Sequence, residues 1–170
     1  MPLIIGIHEI DKSREYSLNE DHKDLDYEKL LIIGDPNFET RWPEDEWEFI
    51  SLSYTSGTMS ITKGVVYSHR CSYLITIGIN LAWEMKSKHV YLWTTPMFQC
   101  NGWGFPWGMA AQGGTSICCR SVNAKDIFDA ITEHKVTYLC AVPTVLSIIA
   151  NAPARERRPI PHIIDTKHTC

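Results

Sequence analysis

HVYLWTTPMFQCNGWGFPWGMAAQGGTSICCRSVNAKDIFDAITEHKVTYLCAVPTVLSIIAN, residues 89–151, is the stretch whose reading decides the fold. It contains three short runs rich in β-branched and aromatic residues, at 89–95, 115–119 and 136–142, which read as strands. Stretches of helical period lie at 101–111, 123–134 and 143–151. Asn123 is placed as an N-cap with Asp126 at the third helical position, and Val142-Pro143 is a strand exit with proline at a helix start. Upstream, 49–54 and 65–67 read as further strands and 69–86 as a helix. Strand and helix therefore alternate, which predicts an α/β fold with a mostly parallel sheet and crossover helices. In such a fold ligands collect beyond the carboxyl ends of the strands.

The rest of the chain bounds the answer. A length of 170 residues with 44% hydrophobic content suits one ordinary domain. Six Trp, seven Tyr and five Phe exclude a disordered or collagen-like composition. The longest apolar stretch, near Tyr73–Trp83, is broken by Asn80 and closed by Glu84, Lys86 and Lys88, so no membrane span is expected. The start has no basic region before a short apolar stretch and does not read as a signal peptide, which predicts a cytosolic-type compartment. The net charge of −4 is uneven: residues 1–50 hold 5 Lys/Arg against 14 Asp/Glu, and the remainder 11 against 6. An acidic head argues against nucleic acid as a partner, and the mildly basic remainder suits a small anionic ligand.

From residue 11 the sequence DKSREYSLNEDHKDLDYEKL reads as a surface helix or a poorly ordered segment, and turn chemistry follows at 34–37 and 41–46. The globular part is expected to begin near Trp47. The six cysteines, at 71, 100, 118, 119, 140 and 170, include no C-x-x-C pair and are expected to be free structural thiols. Neither H-E-x-x-H nor G-x-S-x-G occurs, so a metallohydrolase and a serine hydrolase are unsupported. Arg155-Glu156-Arg157-Arg158 reads as a solvated loop in preference to a binding patch. Residues 152–170 show no periodicity and no closing element.

Chemistry concentrates in YTSGTMSITKGVVY, residues 54–67. Small residues let backbone N–H groups approach an anion, hydroxyls add donors or metal-coordinating oxygens, and a lysine supplies a mobile charge for terminal phosphates. The spacing is not that of a Walker A loop, because Gly64 follows Lys63 and leads into a strand. Composition leaves two readings open at this point, a phosphate cradle and a plain Gly/Ser/Thr hairpin loop.

TyrThrSerGlyThr at 54–58 and LysGlyValValTyrSerHisArg at 63–70 resemble the phosphate-binding signature of the acyl-activating (adenylate-forming, AMP-binding) superfamily. FETRWPEDEW (38–47), TPMFQCNGW (95–103), WGMAAQGGT (107–115) and NAPARERRPIP (151–161) are similar, in the same order, to plant short- and medium-chain acyl-CoA or aromatic-acid-CoA ligases. The resemblance extends over 36–165, leaving 1–35 as an acidic, poorly matching segment and 166–170 as an unmatched tail. It implies part of a large N-terminal domain and a two-step ligase reaction. A carboxylate attacks the α-phosphate of Mg-ATP to give an acyl-adenylate, and the thiol of coenzyme A then displaces AMP. Thr55, Ser56, Gly57, Thr58, Lys63 and Gly64 would hold the phosphates, with Thr55 or Thr58 close to Mg²⁺ and Lys63 on the departing pyrophosphate. Met59, Ile61 and Thr62 depart from the family's loop pattern.

Gln99 stands where the family's motif carries a His that faces the carboxylate. Glutamine can donate a hydrogen bond there but cannot carry positive charge; the plain alternative is a polar residue at a strand-to-helix turn. Asn101, Gly102 and Trp103 would open the helix beside the pocket for a small carboxylic acid, and Val142 and Pro143 would line it. The family's adenine- and ribose-binding motifs and its adenylation lysine do not occur in these 170 residues. The expectation is therefore a ligase-like fragment without turnover by itself. Its alternatives are a non-catalytic module that associates with an intact synthetase and a regulatory nucleotide-binding protein. The resemblance suggests a cytoplasmic or peroxisomal setting, although the terminal HisThrCys is not a Ser-Lys-Leu type address.

Overall fold

The computed structural model describes residues 5–7, 25–55, 61–99 and 104–168. These fall into two compact units, Met1–Trp42 and Pro43–Cys170. In the first, β1 (Ile5–Gly6) pairs in parallel with β2 (Leu25–Asp26), and α1 (Tyr27–Ile33) follows. Asp26 caps α1 by accepting the Lys29 N–H at 3.1 Å. The charged segment expected as a surface helix or poorly ordered stretch thus includes a short exposed helix, and residues 8–24 lie outside the described residues.

The second unit begins with a hairpin, β3 (Phe49–Thr55) antiparallel to β4 (Lys63–Ser68), which feeds α2 (His69–Ala82). Next come β5 (Val90–Trp93), α3 (Phe105–Ala111), β6 (Thr115–Cys118), α4 (Ala124–His134), β7 (Tyr138–Ala141), α5 (Pro143–Ala150), a 3-10 turn over Ala154–Glu156 and β8 (Asp165–His168). The last four strands form one parallel sheet in the order β6-β5-β7-β8. No described helix is long and apolar enough to cross a membrane.

Both faces of the central strands β5 and β7 are covered, which is why these two read as nearly continuous apolar runs. On one face Tyr91, Trp93, Tyr138 and Cys140 pack with Met85, Phe105 and Met109; on the other Leu92, Leu139 and Ala141 pack with Ile127, Ile131, Val136 and Val145. The two sets alternate along β5 and β7, as a period of two requires. His89 ties the start of β5 to its surroundings. Its Nε2 accepts the Lys86 N–H at 2.7 Å, so the ring proton sits on Nδ1, which donates to Thr137 Oγ1 at 3.1 Å.

Helix ends account for one departure from the expected boundaries. The helix expected over 69–86 stops at Ala82, because Glu84 adopts φ 50° while the Met85 N–H bonds the Asn80 carbonyl and the Glu84 N–H that of Leu81. Lys135, at φ 54°, closes α4 with the Val136 N–H on the Ile131 carbonyl. In neither helix does a glycine mark the stop. α3 is described from Phe105, and residues 101–103 of the expected helix lie outside the described residues.

The C-terminal stretch read as lacking a closing element in fact contributes β8. This strand is short and polar, pairs among the described residues with β7 alone, and carries no apolar alternation to betray it. The arginines before it are not simply solvated. Arg157 donates from Nε to the Ala152 carbonyl at 2.8 Å and from Nη2 to that of Ala150 at 3.0 Å, which satisfies acceptors left over beyond α5. Arg158 reaches Asp129 on α4 at 2.7 Å.

Cys71, Cys118, Cys119 and Cys140 are free, as expected, and Cys100 and Cys170 lie outside the described residues. Burial pushes the Cys140 thiol up to about 11, and a hydrogen bond from the Tyr91 hydroxyl only partly opposes that shift. Cys71 and Cys118 are exposed. In the native chain at pH 8, iodoacetamide is expected to label Cys71 and Cys118 and to leave Cys140 unmodified until denaturant is added, as read by peptide mass spectrometry. Native labelling of Cys140 at the rate of Cys118 would contradict this packing.

Candidate functional site

The hairpin brings part of the expected phosphate-binding set together. Thr55, the last residue of β3, is the cross-strand partner of Lys63, the first of β4, and Tyr54 lies opposite Gly64. Thr55 and Lys63 therefore flank the mouth of the connection on one face, because directly opposed residues share a face. Ser56, Gly57 and Thr58 belong to that connection and lie outside the described residues. A β-carbon added to Gly64 would stand 3.1 Å from Leu52 Cδ1 and 3.5 Å from Tyr54 Cε1, so both side chains lean over this position.

The second group lies at the carboxyl side of the parallel sheet. From β5 the chain proceeds through α3 to β6 on one side, whereas β7, on the other side, leads into α5. The carboxyl ends of β5 and β7 thus border a topological switch point, where α/β sheets take their ligands. Thr94 Oγ1 donates to the Cys140 carbonyl at 3.1 Å and ties these two ends together. Gln99 is exposed in the turn after β5, its N–H on the Pro96 carbonyl at 3.1 Å. Val142 is half-buried at the N-cap of α5, and Pro143 begins that helix. Asn101, Gly102 and Trp103 lie outside the described residues.

Sequence reasoning gave no role to Thr95, yet just beyond β5 its hydroxyl oxygen is buried with no hydrogen-bond partner among the described residues. Trp93 Nε1, in the core, likewise has none among them. Buried polar atoms are normally paired, which makes both exceptions in this packing. Their signal in the sequence was only that of one more Thr and one more core Trp.

The sequence joining Thr55 to Lys63 offers hydroxyls but no carboxylate. Among the described residues no group of three or more His, Cys, Asp or Glu gathers to hold a metal by itself.

This arrangement of a parallel sheet preceded by a hairpin has solved counterparts. It superposes on the inhibitor-bound N-terminal domain of FACL13 from Mycobacterium tuberculosis with a TM-score of 0.75 at 20% identity, over 86% of this chain and 38% of that one. O-succinylbenzoate coenzyme A synthetase (MenE) from Bacillus subtilis, in complex with ATP and magnesium ion, matches with a TM-score of 0.67 at 21% identity, over 81% of this chain and 30% of that one. The family model of the AMP-binding enzymes matches residues 3–166, a span that begins well ahead of the quoted motifs, and the chain belongs to that family. It is 48% identical over 164 residues to acetate–CoA ligase CCL3 of Humulus lupulus, covering 95% of this chain and 28% of the relative. It is 47% identical over 160 residues to the peroxisomal benzoate–CoA ligase of Arabidopsis thaliana, covering 92% and 27%. The chain thus spans about a quarter of the length of the curated relatives it matches.

Proposed function

We propose that these residues form the phosphate-binding and carboxylate-side part of an ATP-dependent acyl-CoA ligase acting on a small carboxylic acid. The observation that carries this is the pairing of Thr55 with Lys63 across the mouth of a hydroxyl-rich hairpin. A carboxylate is a weak nucleophile and the triphosphate repels it, so the protein's task is to offset charge and align the attack. Lys63 places its ammonium on the β- and γ-phosphates that leave as pyrophosphate. Thr55, Ser56 and Thr58 donate to phosphate oxygens, with Thr55 and Thr58 on the magnesium side, and Gly57 and Gly64 let the backbone approach. Magnesium, when bound, adds charge neutralisation across the phosphates. At the switch point Gln99 donates a neutral hydrogen bond to the substrate carboxylate, and Val142 and Pro143, with Asn101, Gly102 and Trp103, border the acyl group. The peroxisomal benzoate–CoA ligase among the relatives supports a peroxisomal setting, to which a cytoplasmic one is the alternative.

A Mg-ATP titration followed by tryptophan fluorescence tests the reading. Saturable binding is expected, and Lys63→Ala is expected to weaken it about 10- to 100-fold, since a hydrogen bond to a charged group contributes about 1.5–3 kcal/mol. Lys63 is exposed, so this variant should unfold at the wild-type temperature. Equal affinity of the two chains would refute the cradle. The 170 residues by themselves are expected to give no pyrophosphate exchange and no CoA thioester, because they contain none of the family's adenine, ribose or adenylation-lysine motifs. A second reading, a non-catalytic module that associates with an intact synthetase, is favoured by the exposed apolar side chains of β3, β4 and α2.

A further inference from the structure

β5 leaves both of its sheet neighbours at one residue. Its pairing with β6 ends at Trp93 opposite Cys118, and its pairing with β7 ends at Trp93 opposite Cys140. Beyond this point the chains part. β7 runs on to Ala141 against β8 and enters α5 at Pro143, whereas the chain after β5 turns away towards α3. Divergence of this kind is what opens the crevice of a switch point.

Thr94 stands where the ladder stops. It is 7% exposed, and its Oγ1 donates to the Cys140 carbonyl at 3.1 Å. Cys140 is the residue opposite Trp93, so this side chain reaches the last β7 residue that β5 pairs with. A buried hydroxyl is stable there because its bond is made, and a β-branched side chain is stiff at χ1, so the bond fixes a position as well as a contact. Thr95, the next residue, has no partner among the described residues and cannot share this task.

Short, internally bonded connectors lead from both ends of this tie to the two halves of the carboxylate-side site. Gln99 lies five residues beyond Thr94, in a turn closed by its own N–H on the Pro96 carbonyl at 3.1 Å. Val142 lies two residues beyond Cys140, and its carbonyl accepts the Val145 N–H at 2.9 Å and the Leu146 N–H at 3.2 Å. With each connector held by its own bonds, the spacing between Gln99 and Val142–Pro143 is set at the Thr94–Cys140 bond.

We infer that Thr94 is a positioning residue for the carboxylate-side site: its hydroxyl holds the turn that carries Gln99 against the strand end that carries Val142 and Pro143. It acts through those residues and needs no contact with the acid. The inference rests on the proposed reading of the switch point as the place of the carboxylic acid. It is independent of the phosphate hairpin, because Thr55 and Lys63 belong to a separate two-stranded sheet.

The test compares the full 170-residue chain with Thr94→Val, which keeps the shape and removes the donor, and with Thr94→Ser, which keeps the donor. The probe is 4-fluorobenzoate, titrated by ¹⁹F NMR; Mg-ATP affinity is measured by tryptophan fluorescence and amide hydrogen exchange by NMR. Thr94→Val is expected to weaken 4-fluorobenzoate binding about three- to tenfold, and Thr94→Ser to stay within about twofold of the wild type. Mg-ATP affinity is expected to be the same in all three chains. The Gln99 amide should exchange faster in Thr94→Val, while the Leu92 and Leu139 amides keep their wild-type protection. A purely structural role would instead lower protection across the sheet. Equal 4-fluorobenzoate affinity of the wild type and Thr94→Val, or unchanged exchange at Gln99, overturns the inference and leaves the ligase reading standing. A wild-type chain that does not bind 4-fluorobenzoate refutes the carboxylate site, and the inference falls with it. Should Thr94→Val not fold, Thr94→Ala takes its place, and an alanine chain that binds the probe as tightly as the serine chain overturns the inference.

Discussion

Phe105→Ala is expected to destabilise the chain by about 3–5 kcal/mol, the range for truncating a buried aromatic. Phe105 is 1% exposed, and its ring centroid lies 4.7 Å from that of Tyr91, 4.9 Å from Trp83, 6.3 Å from Tyr138 and 6.4 Å from Trp93. These four rings come from β5, β7 and the end of α2, so a single side chain joins three elements. They are also too large to close together over the space left behind, and the cavity cost adds to the lost burial. α3 has only seven residues and buries Phe105, Gly108 and Met109, so its docking depends on this ring. Thermal unfolding followed by circular dichroism should show a fall in Tm of roughly 10 °C, given about 2–4 °C per kcal/mol for a chain of this size. A shift under about 2 °C would show that α3 is not packed as described.

The second large effect is overpacking at Gly114, at the entry to β6. A β-carbon there would stand 2.2 Å from Met109 Cε and 2.9 Å from the carbonyl oxygen of His89. Met109 can swing its methyl away, but the His89 carbonyl cannot move freely, because it accepts the Thr115 N–H at 2.8 Å and so holds β6 to the start of β5. Gly114→Val is expected to cost about 3 kcal/mol, the upper part of the range for inserting bulk into a packed site. Gly114→Ala should lie between the variant and the wild type. Urea denaturation of the three chains measures the series, and an unchanged midpoint for the valine chain would contradict the fit of β6 against β5. The role of Gly114 is steric, and it differs from that of Gly113, which takes φ 61° at the end of α3.

How far the sequence foretold this structure varies by element. The central sheet was legible because β5 and β7 are buried on both faces and leave unbroken apolar runs. α4 was legible from its cap, with Asn123 Oδ1 accepting the Asp126 N–H at 2.9 Å as the spacing predicts. The end of α2 was not, since Glu84 adopts a left-handed conformation without the glycine that usually announces it. β8 escaped because its stability comes from pairing with β7, a contact between residues far apart in the chain. At the site, strands on either side of the Gly-, Ser- and Thr-rich loop were legible, and the structure pairs them as a hairpin with Thr55 opposite Lys63; residue types left a phosphate cradle and a plain hairpin loop both open. The Thr95 hydroxyl, without a partner among the described residues, could not be read beforehand, since hydrogen-bond satisfaction is a property of packing and not of residue type.

Gly64 has a consequence for strand alignment. A β-hairpin whose strands slip by one residue turns every side chain to the opposite face, and repetitive hydroxyl-rich strands such as these offer little resistance to slipping. Leu52 and Tyr54 lean over the position opposite Tyr54, where a β-carbon would meet Leu52 Cδ1 at 3.1 Å. With Val65 or Lys63 brought opposite Tyr54 instead, the Leu52 side chain would have to give way. Gly64 thus works as a keyway that favours one alignment of β3 on β4. It keeps Lys63 and Thr55 on one face and Leu52, Tyr54 and Val66 on the other.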